Sequence, residues 1–460
     1  MILSEEIAWR DPAEAFARWS EDPYVAWLDS AAAGDARSRY SYLGVSPFQV
    51  IETADGETRI NGRAVPGDPF AVLAQELARW HLPPGASPAP FGGGAIGFLG
   101  YELGRHLERL PQRHANILGI PDMVVACYDV VLAFDRQDQR AWIVSSGFPA
   151  EHARQQRAAQ RLDTVLRRLN APAAPVSPPL RQGAAWQPEL SRSEYERLVT
   201  RTLEYIRAGD IFQANITMRH LARRPAGTMA SAVHGALRAG SPAPFAAYLG
   251  CGPQLALASA SPERFLRLDP GGRMETRPIK GTRPRGASAA DDARLRAELA
   301  ASEKDRAENL MIVDLMRNDL GRVAEIGSVA VPALFEVESF AAVHHLVSSI
   351  TGRLRPGLGP VDLLRATFPA GSITGAPKIR AMEIIDEIEV GRRGPYCGTI
   401  AWIGFDGAMD SSVVIRTLVI TPETVVAQAG GGIVADSDPG AEYEEMMVKV
   451  RPLLAALSPR

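Results

Sequence analysis

Strand-like and helical runs do not alternate along this chain, and that irregular order is the strongest constraint on its fold. Runs rich in Val, Ile and aromatic residues lie at Tyr24 to Leu28, Phe48 to Thr53, Val124 to Phe134 and Ala141 to Ser145. They recur at Phe245 to Leu249, Leu255 to Ser259, Gly398 to Phe405, Ser412 to Val419 and Val425 to Ala429. Helical patterns fall at Glu151 to Asn170, Ala301 to Asp319, Pro377 to Glu389 and Pro439 to Leu457. Another helix is predicted to open at Ser191, where Ser191 and Glu194 match a capping box, and to close at Gly209. A doubly wound sheet needs strict strand–helix alternation, so the pattern predicts an α+β fold. Phe91 to Gly104 holds six glycines, too many for an ordinary helix, and reads as tight turns or close backbone approach.

Four prolines within Ala171-Pro-Ala-Ala-Pro-Val-Ser-Pro-Pro179 mark an extended linker. It divides the chain into an N-terminal region 1–150, a helix and linker over 151–187, and a region 188–457 that carries most of the chemical signals. Hydrophobic residues at 46% supply ample core, and a formal net charge of -3 argues against a nucleic-acid footprint. No apolar run is long enough for a bilayer, and the acids in the opening segment do not suit a signal peptide. Cys127, Cys251 and Cys397 show no metal or redox spacing. A cytoplasmic chain without nucleic-acid or membrane partners is expected.

Several segments could carry chemistry. Asp438-Pro439 supplies an N-cap and a Pro at N1 for the last helix, with Tyr443, Met446, Met447, Val450, Leu453 and Leu454 as its apolar stripe. Glu442, Glu445 and Lys449 share another face, either a solvated one or part of a divalent-metal site. Asp305 and Glu308 form a second acidic face on the helix at 301–319, and spacing alone does not bring the two helices together. Gly430-Gly431-Gly432 reads either as a tight turn or as backbone N–H groups open to an anion. The loop around Ser372 and Thr374 enters a helix at Pro377, an N-terminus suited to a carboxylate. Arg277 to Gly286 packs Lys280 among arginines, as a surface loop or as a lysine with a depressed pKa. Arg283 and Arg285 are the candidates for depressing it. His345 reads as structural or catalytic.

Taken in order, Gly209-Asp-Ile-Phe-Gln-Ala-Asn215, Ser261-Pro-Glu-Arg-Phe265, Glu308-Asn-Leu-Met-Ile-Val-Asp314, His345, Gly371-Ser-Ile-Thr-Gly-Ala-Pro-Lys378 and Gly430-Gly-Gly-Ile-Val-Ala-Asp436 resemble the blocks of the chorismate-utilising enzymes. The resemblance spans residues 190 to 455 and extends more loosely to Leu28-Asp-Ser30 and Tyr40-Ser-Tyr-Leu-Gly44. It implies a two-part α+β structure, with large, mostly antiparallel sheets forming a sandwich and helices packed outside. It also implies chorismate as substrate and Mg²⁺ held by Glu308 and Glu445, with Glu442 at the margin. Tyr396, Arg416, Gly431 and Gly432 match substrate-binding positions, and Lys449 would add charge near the metal. Gln213 stands where water-using members have a lysine base, which argues against water as nucleophile.

The Pro278-Ile-Lys280-Gly-Thr282 block is similar to the branch that aminates chorismate to 4-amino-4-deoxychorismate for 4-aminobenzoate and folate synthesis. The branch that makes anthranilate and pyruvate usually has alanine there and is the alternative. The resemblance gives Lys280 the role of nucleophile at C2 and Glu263 that of acid for the C4 hydroxyl, with His345 and Ser372 in the substrate site. None of the three cysteines sits in a G-x-C-x-G turn, so ammonia is expected from a separate glutamine amidotransferase subunit. The N-terminal part of the family commonly holds tryptophan. Asp29 departs from the usual Leu-Glu-Ser there and leaves that ligand open.

Overall fold

A computed structural model describes residues 2–32, 34–172, 183–340 and 343–458. Most of the expected proline-rich linker, from residue 173 onward, lies outside the described residues. The rest forms two large antiparallel sheets of 12 strands each, packed face to face with helices on both outer sides. The α+β sandwich expected from the sequence is the observed architecture.

Both sheets draw strands from both sides of the proline-rich segment. In the first sheet Ala26–Asp29 pairs with Phe245–Gly250, placing Asp29 opposite Ala246. In the second, Gly94–Leu99 pairs with Thr399–Gly404, placing Leu99 opposite Thr399. The two regions distinguished along the chain are therefore joined by main-chain hydrogen bonds in both layers. Between the sheets Ala26, Phe98, Tyr128, Val131, Leu257 and Ile400 form one buried layer. Helices Arg192–Arg207, Lys378–Ile388 and Pro439–Ala455 cover the outside of the first sheet, and Glu303–Gly321 and Pro360–Thr367 cover the second.

Local signals survive well at the helix starts. Ser191 Oγ accepts from Glu194 N at 3.3 Å while Glu194 Oε2 accepts from Ser191 N at 2.8 Å, so the capping box forms. Asp438 Oδ1 accepts from Ala441 N at 2.9 Å, and the last helix buries Met446, Val450 and Leu453 as the stripe predicted.

Four expectations need correction. The run Ser412 to Val419 is two strands, Met409–Val413 in the second sheet and Thr417–Ile420 in the first. The run Val124 to Phe134 is two strands, Met123–Tyr128 in the second sheet and Val130–Asp135 in the first. The chain changes sheets at Asp129, whose buried carboxylate accepts from Arg161 at 2.9 Å. Both strands are covered on both faces, so their apolar runs fuse in sequence. The glycine-rich segment contains a central strand, Gly94–Leu99. A Cβ at Gly94 would lie 2.1 Å from the Ile403 carbonyl oxygen, and one at Gly97 2.1 Å from that of Val124. Close approach was the correct part of that reading. The Lys280 segment is an edge strand, Ile279–Pro284, paired with Val343–Arg353, rather than a loop.

A buried ion pair ties these parts together. Arg393 donates to Glu389 at 2.7 and 2.9 Å, to the Ile373 carbonyl at 3.1 Å and to the Asn215 carbonyl. Glu389 in turn accepts from Thr217 N at 2.9 Å and Thr217 Oγ1 at 2.8 Å. Removing one member strands the other charge in the interior. Glu389→Ala should lower stability by about 3–5 kcal/mol. The double variant Glu389→Leu/Arg393→Met should lose clearly less, as read from urea unfolding midpoints.

Candidate active site

The residues singled out by the sequence come from four strands, two helices and the links that carry Glu263, Ser372, Tyr396 and Arg416. Lys280 reaches in from the edge strand, and its Nζ donates to the Ser372 carbonyl at 3.4 Å. Ser372, on a short turn at Gly371–Ile373, donates its hydroxyl to Glu263 Oε1 at 2.8 Å. Glu263 is buried, and that burial raises its pKa, against the opposing pull of the Ser372 hydrogen bond, Lys280 and Lys449. It is thereby biased towards the protonated form.

Lys280 responds in the opposite sense. Burial lowers its pKa, the neighbouring Lys449 lowers it further, and Glu308, Glu263 and Glu445 work against both. Arg283 and Arg285 are engaged with acids of their own and are not among the largest influences on it. Arg283 is paired with Glu298 at 3.1 Å and Asp305 at 3.2 Å, and Arg285 with Asp292 at 2.7 Å. Those two arginines brace the strand against its helices instead. Asp305 is consumed in that brace, leaving Glu308 as the carboxylate of its helix that acts on Lys280.

The acidic faces of the two helices come within electrostatic range of each other. Glu308 is raised first by burial and then feels Glu445 among its neighbours. Burial raises Glu445 too, but Lys449, Lys280 and Lys304 outweigh it and hold Glu445 below its usual value. Lys449 bridges Glu445 at 2.7 Å and the Gly430 carbonyl at 2.9 Å. Glu442 accepts from Ser437 Oγ at 2.6 Å, and burial raises it.

Gly430, Gly431 and Gly432 form neither a turn nor a loop. They extend the strand Thr424–Ile433 opposite Thr217, Ile216 and Asn215. A Cβ at Gly431 would sit 2.8 Å from Glu442 Oε2, and one at Gly432 2.5 Å from Gln213 Nε2 and 3.6 Å from Lys280 Nζ. Glycine is needed here for the space a side chain would fill. Thr374 turns back on its own loop, donating to the Ala370 carbonyl at 3.2 Å.

A second group lies beside the first. Arg416 has a left-handed backbone at φ 52°, in the link between Met409–Val413 of one sheet and Thr417–Ile420 of the other. Among the described residues its guanidinium has no ion pair or hydrogen bond. Burial lowers its pKa, and nearby Tyr396 opposes the shift. A largely desolvated, unpaired guanidinium is a ready carboxylate receptor. His345 Nδ1 lies 2.9 Å from Thr282 Oγ1, on the strand that carries Lys280.

A family model described as chorismate binding enzyme matches residues 24–455. The chain belongs to the chorismate-binding enzyme family. Aminodeoxychorismate synthase component 1 of Klebsiella aerogenes is 44% identical, over 98% of each chain. Anthranilate synthase component 1 of Thermus thermophilus is 42% identical, over 97% of this chain and 95% of that one. The crystal structure of anthranilate synthase component I from Streptococcus pneumoniae superposes with a TM-score of 0.82 at 33% identity, covering 91% of this chain and 93% of that one.

In this member of the chorismate-binding family the carboxylate set has a definite character. Among the described residues no group of three or more His, Cys, Asp or Glu side chains is arranged to hold a metal. Glu308 and Glu445 lie within electrostatic range of each other, as two carboxylates rather than a larger group. That fits a hard cation taking its remaining oxygens from ligand and water, and does not fit a cage made by protein alone.

A separate cavity of about 550 Å³ lies between the sheets, lined by Leu28, Ser30, Tyr40, Phe245 and Arg264 among others. Asp29 points away from it, into ion pairs with Arg238 and Arg136. Strand alternation puts Leu28 and Ser30 on the cavity side and the unusual Asp29 on the other.

Sequence reasoning missed that Gln213 is isolated in this site, although its place in the block Gly209 to Asn215 pointed at the strand. Burial and the nearby Arg37 and Arg416 charges lower the His345 pKa to about 4. Its ring should therefore stay neutral from pH 6 to 8 and titrate near pH 4 in NMR spectra. Between about pH 6.5 and 4 the unfolded chain binds a proton here that the native chain refuses, so this residue makes stability fall as pH falls.

Proposed function

We propose that the chain is the chorismate-aminating component of an aminodeoxychorismate synthase, converting chorismate and ammonia to 4-amino-4-deoxychorismate and water. The observation that carries this reading is Lys280: a lysine with a depressed pKa, set beside a buried acid and two further carboxylates. Its neutral amine attacks C2 of chorismate as the C4 hydroxyl leaves with a proton from Glu263. Ammonia then attacks C4, the C2–N bond breaks, and Lys280 departs as a neutral amine. The new ammonium returns one proton to Glu263. The unpaired Arg416, with Tyr396 and the Gly431–Gly432 backbone, suits the enolpyruvyl carboxylate. Ser372 orients Glu263, and neutral His345 serves as a hydrogen-bonding group.

Glu308 and Glu445, with Glu442 beside them, would hold Mg²⁺, which when bound supplies charge neutralisation for the ring carboxylate. Lys449 tempers the negative charge of that group. Support for the aminating branch comes from the relatives named aminodeoxychorismate synthase component 1, from Klebsiella aerogenes, Salmonella typhimurium and Escherichia coli, at 44%, 42% and 41% identity. The words "component 1" in those names support a partner subunit, here a glutamine amidotransferase that supplies ammonia. The cavity between the sheets suits tryptophan or a similar aromatic amino acid. The three buried, unpaired cysteines support a reducing, cytoplasmic setting. Among the described residues no helix is long and apolar enough to cross a membrane.

The 42% identity to the Thermus anthranilate synthase component keeps that lyase as the second reading. Mass spectrometry of the products from chorismate, ammonium and Mg²⁺ separates the two. A product that keeps the enolpyruvyl group and gains an amine is expected. Anthranilate with equimolar pyruvate would move the chain to the lyase branch. Lys280→Ala should cut amination by at least about a hundredfold, the range of a lost covalent catalyst. Glu445→Gln should weaken Mg²⁺ binding in calorimetric titration, and an unaltered isotherm would take the metal off this helix.

A further inference from the structure

Gln213 opens the strand Gln213–Arg223, and its side chain is completely buried. Among the described residues neither its Nε2 nor its Oε1 has a hydrogen-bond partner. Leaving a buried polar group unsatisfied costs about 1–3 kcal/mol, and this amide leaves two. A Leu or Met fills a similar volume without that cost, so a mere packing role does not account for the amide. Gln213 Nε2 and Lys280 Nζ flank the same glycine, at 2.5 and 3.6 Å from where a Gly432 Cβ would stand. Lys280 itself is thinly held, by one long contact of 3.4 Å to the Ser372 carbonyl.

We infer that Gln213 is a positioning residue for the Lys280 amine: with its amide turned over from the orientation seen here, in which Nε2 is the atom nearer to Gly432, its Oε1 accepts one N–H of that amine when substrate is bound. The inference rests on the nucleophilic role proposed above for Lys280. A neutral amine has two N–H groups and one lone pair. With the Ser372 carbonyl and Gln213 Oε1 each accepting one N–H, the lone pair is left directed at carbon. The charge type matters as much as the geometry. A carboxylate in this place would hold the proton on Lys280, and a second ammonium would repel it, whereas an amide accepts the N–H without altering the charge. Gly432 completes the arrangement, since any side chain there would part the two groups.

The experiment compares the full chain with Gln213→Met and Gln213→Glu, in steady-state amination with ammonium and in pH-dependent acetylation of Lys280 by acetic anhydride, followed by peptide mass spectrometry. Gln213→Met, nearly isosteric and apolar, should lower kcat by at least about tenfold while KM stays within about threefold, because a misaimed nucleophile loses rate before binding. Gln213→Glu should move both the pH–rate profile and the Lys280 acetylation profile to higher pH by a unit or more, with activity partly regained near pH 9. A purely structural glutamine would leave the pH profiles where they are. Wild-type kcat in Gln213→Met, or an unmoved acetylation profile in Gln213→Glu, would overturn the inference. If the unmodified chain aminates nothing, the parent reading fails by itself, and the acetylation profiles still decide whether Gln213 acts on Lys280.

Discussion

The Arg393–Glu389 pair sits where the site's supporting segments cross, and the placement of the reacting groups depends on it. Arg393 holds the carbonyls of Ile373 and Asn215, next in sequence to Ser372 and two residues from Gln213. Its guanidinium also lies over the Tyr101 ring at 4.6 Å, and its backbone N–H donates to Glu102 at 3.0 Å. One fixed cation thus sets the distance between the Ser372 turn, the Gln213 strand and the Tyr101–His106 turn of the N-terminal region. A planar fork with five donors can serve that many acceptors at once, which an ammonium cannot.

Around that frame the site is an exercise in charge balance. Glu263, Glu308, Glu442 and Glu445 face Lys280 and Lys449, with Lys304 acting from the rim. Burial pushes all four acids up and Lys280 down, so desolvation favours neutral forms on both sides. The local pairs then separate the roles. Glu445, paired with Lys449, is held below its usual value, while burial raises Glu263 against the opposing hydrogen bond from Ser372. Among the described residues Arg416 stands apart as a cation without an acid.

The features legible in the sequence are those fixed within a few residues. The Ser191–Glu194 box, the Asp438 cap and the apolar stripe through Met446 and Leu453 need only helix geometry, and all three form as read. The run Val124 to Phe134 was opaque because a change of sheet at Asp129 leaves no mark in periodicity when both faces are buried. The Lys280 segment carries loop-like residues, yet Val343–Arg353 lends it a partner and makes it a strand. Asp29 shows the same limit. Its departure from the family pattern concerns the side of the strand facing Arg238, not the cavity that Leu28 and Ser30 line.

By itself, the sequence determined the fold class, the ordered motifs that mark a chorismate-binding enzyme, and the residue types at the reacting positions. Only the tertiary structure decided how those residues act on one another. It gave Arg283 and Arg285 acids of their own, and brought Glu308 into the range of Glu445 across two helices more than a hundred residues apart. It also sealed Gln213 beside Gly432 with no hydrogen-bond partner among the described residues. The reason is physical: caps, stripes and glycine strain are local and written in spacing, whereas desolvation and charge coupling depend on what the rest of the chain places alongside.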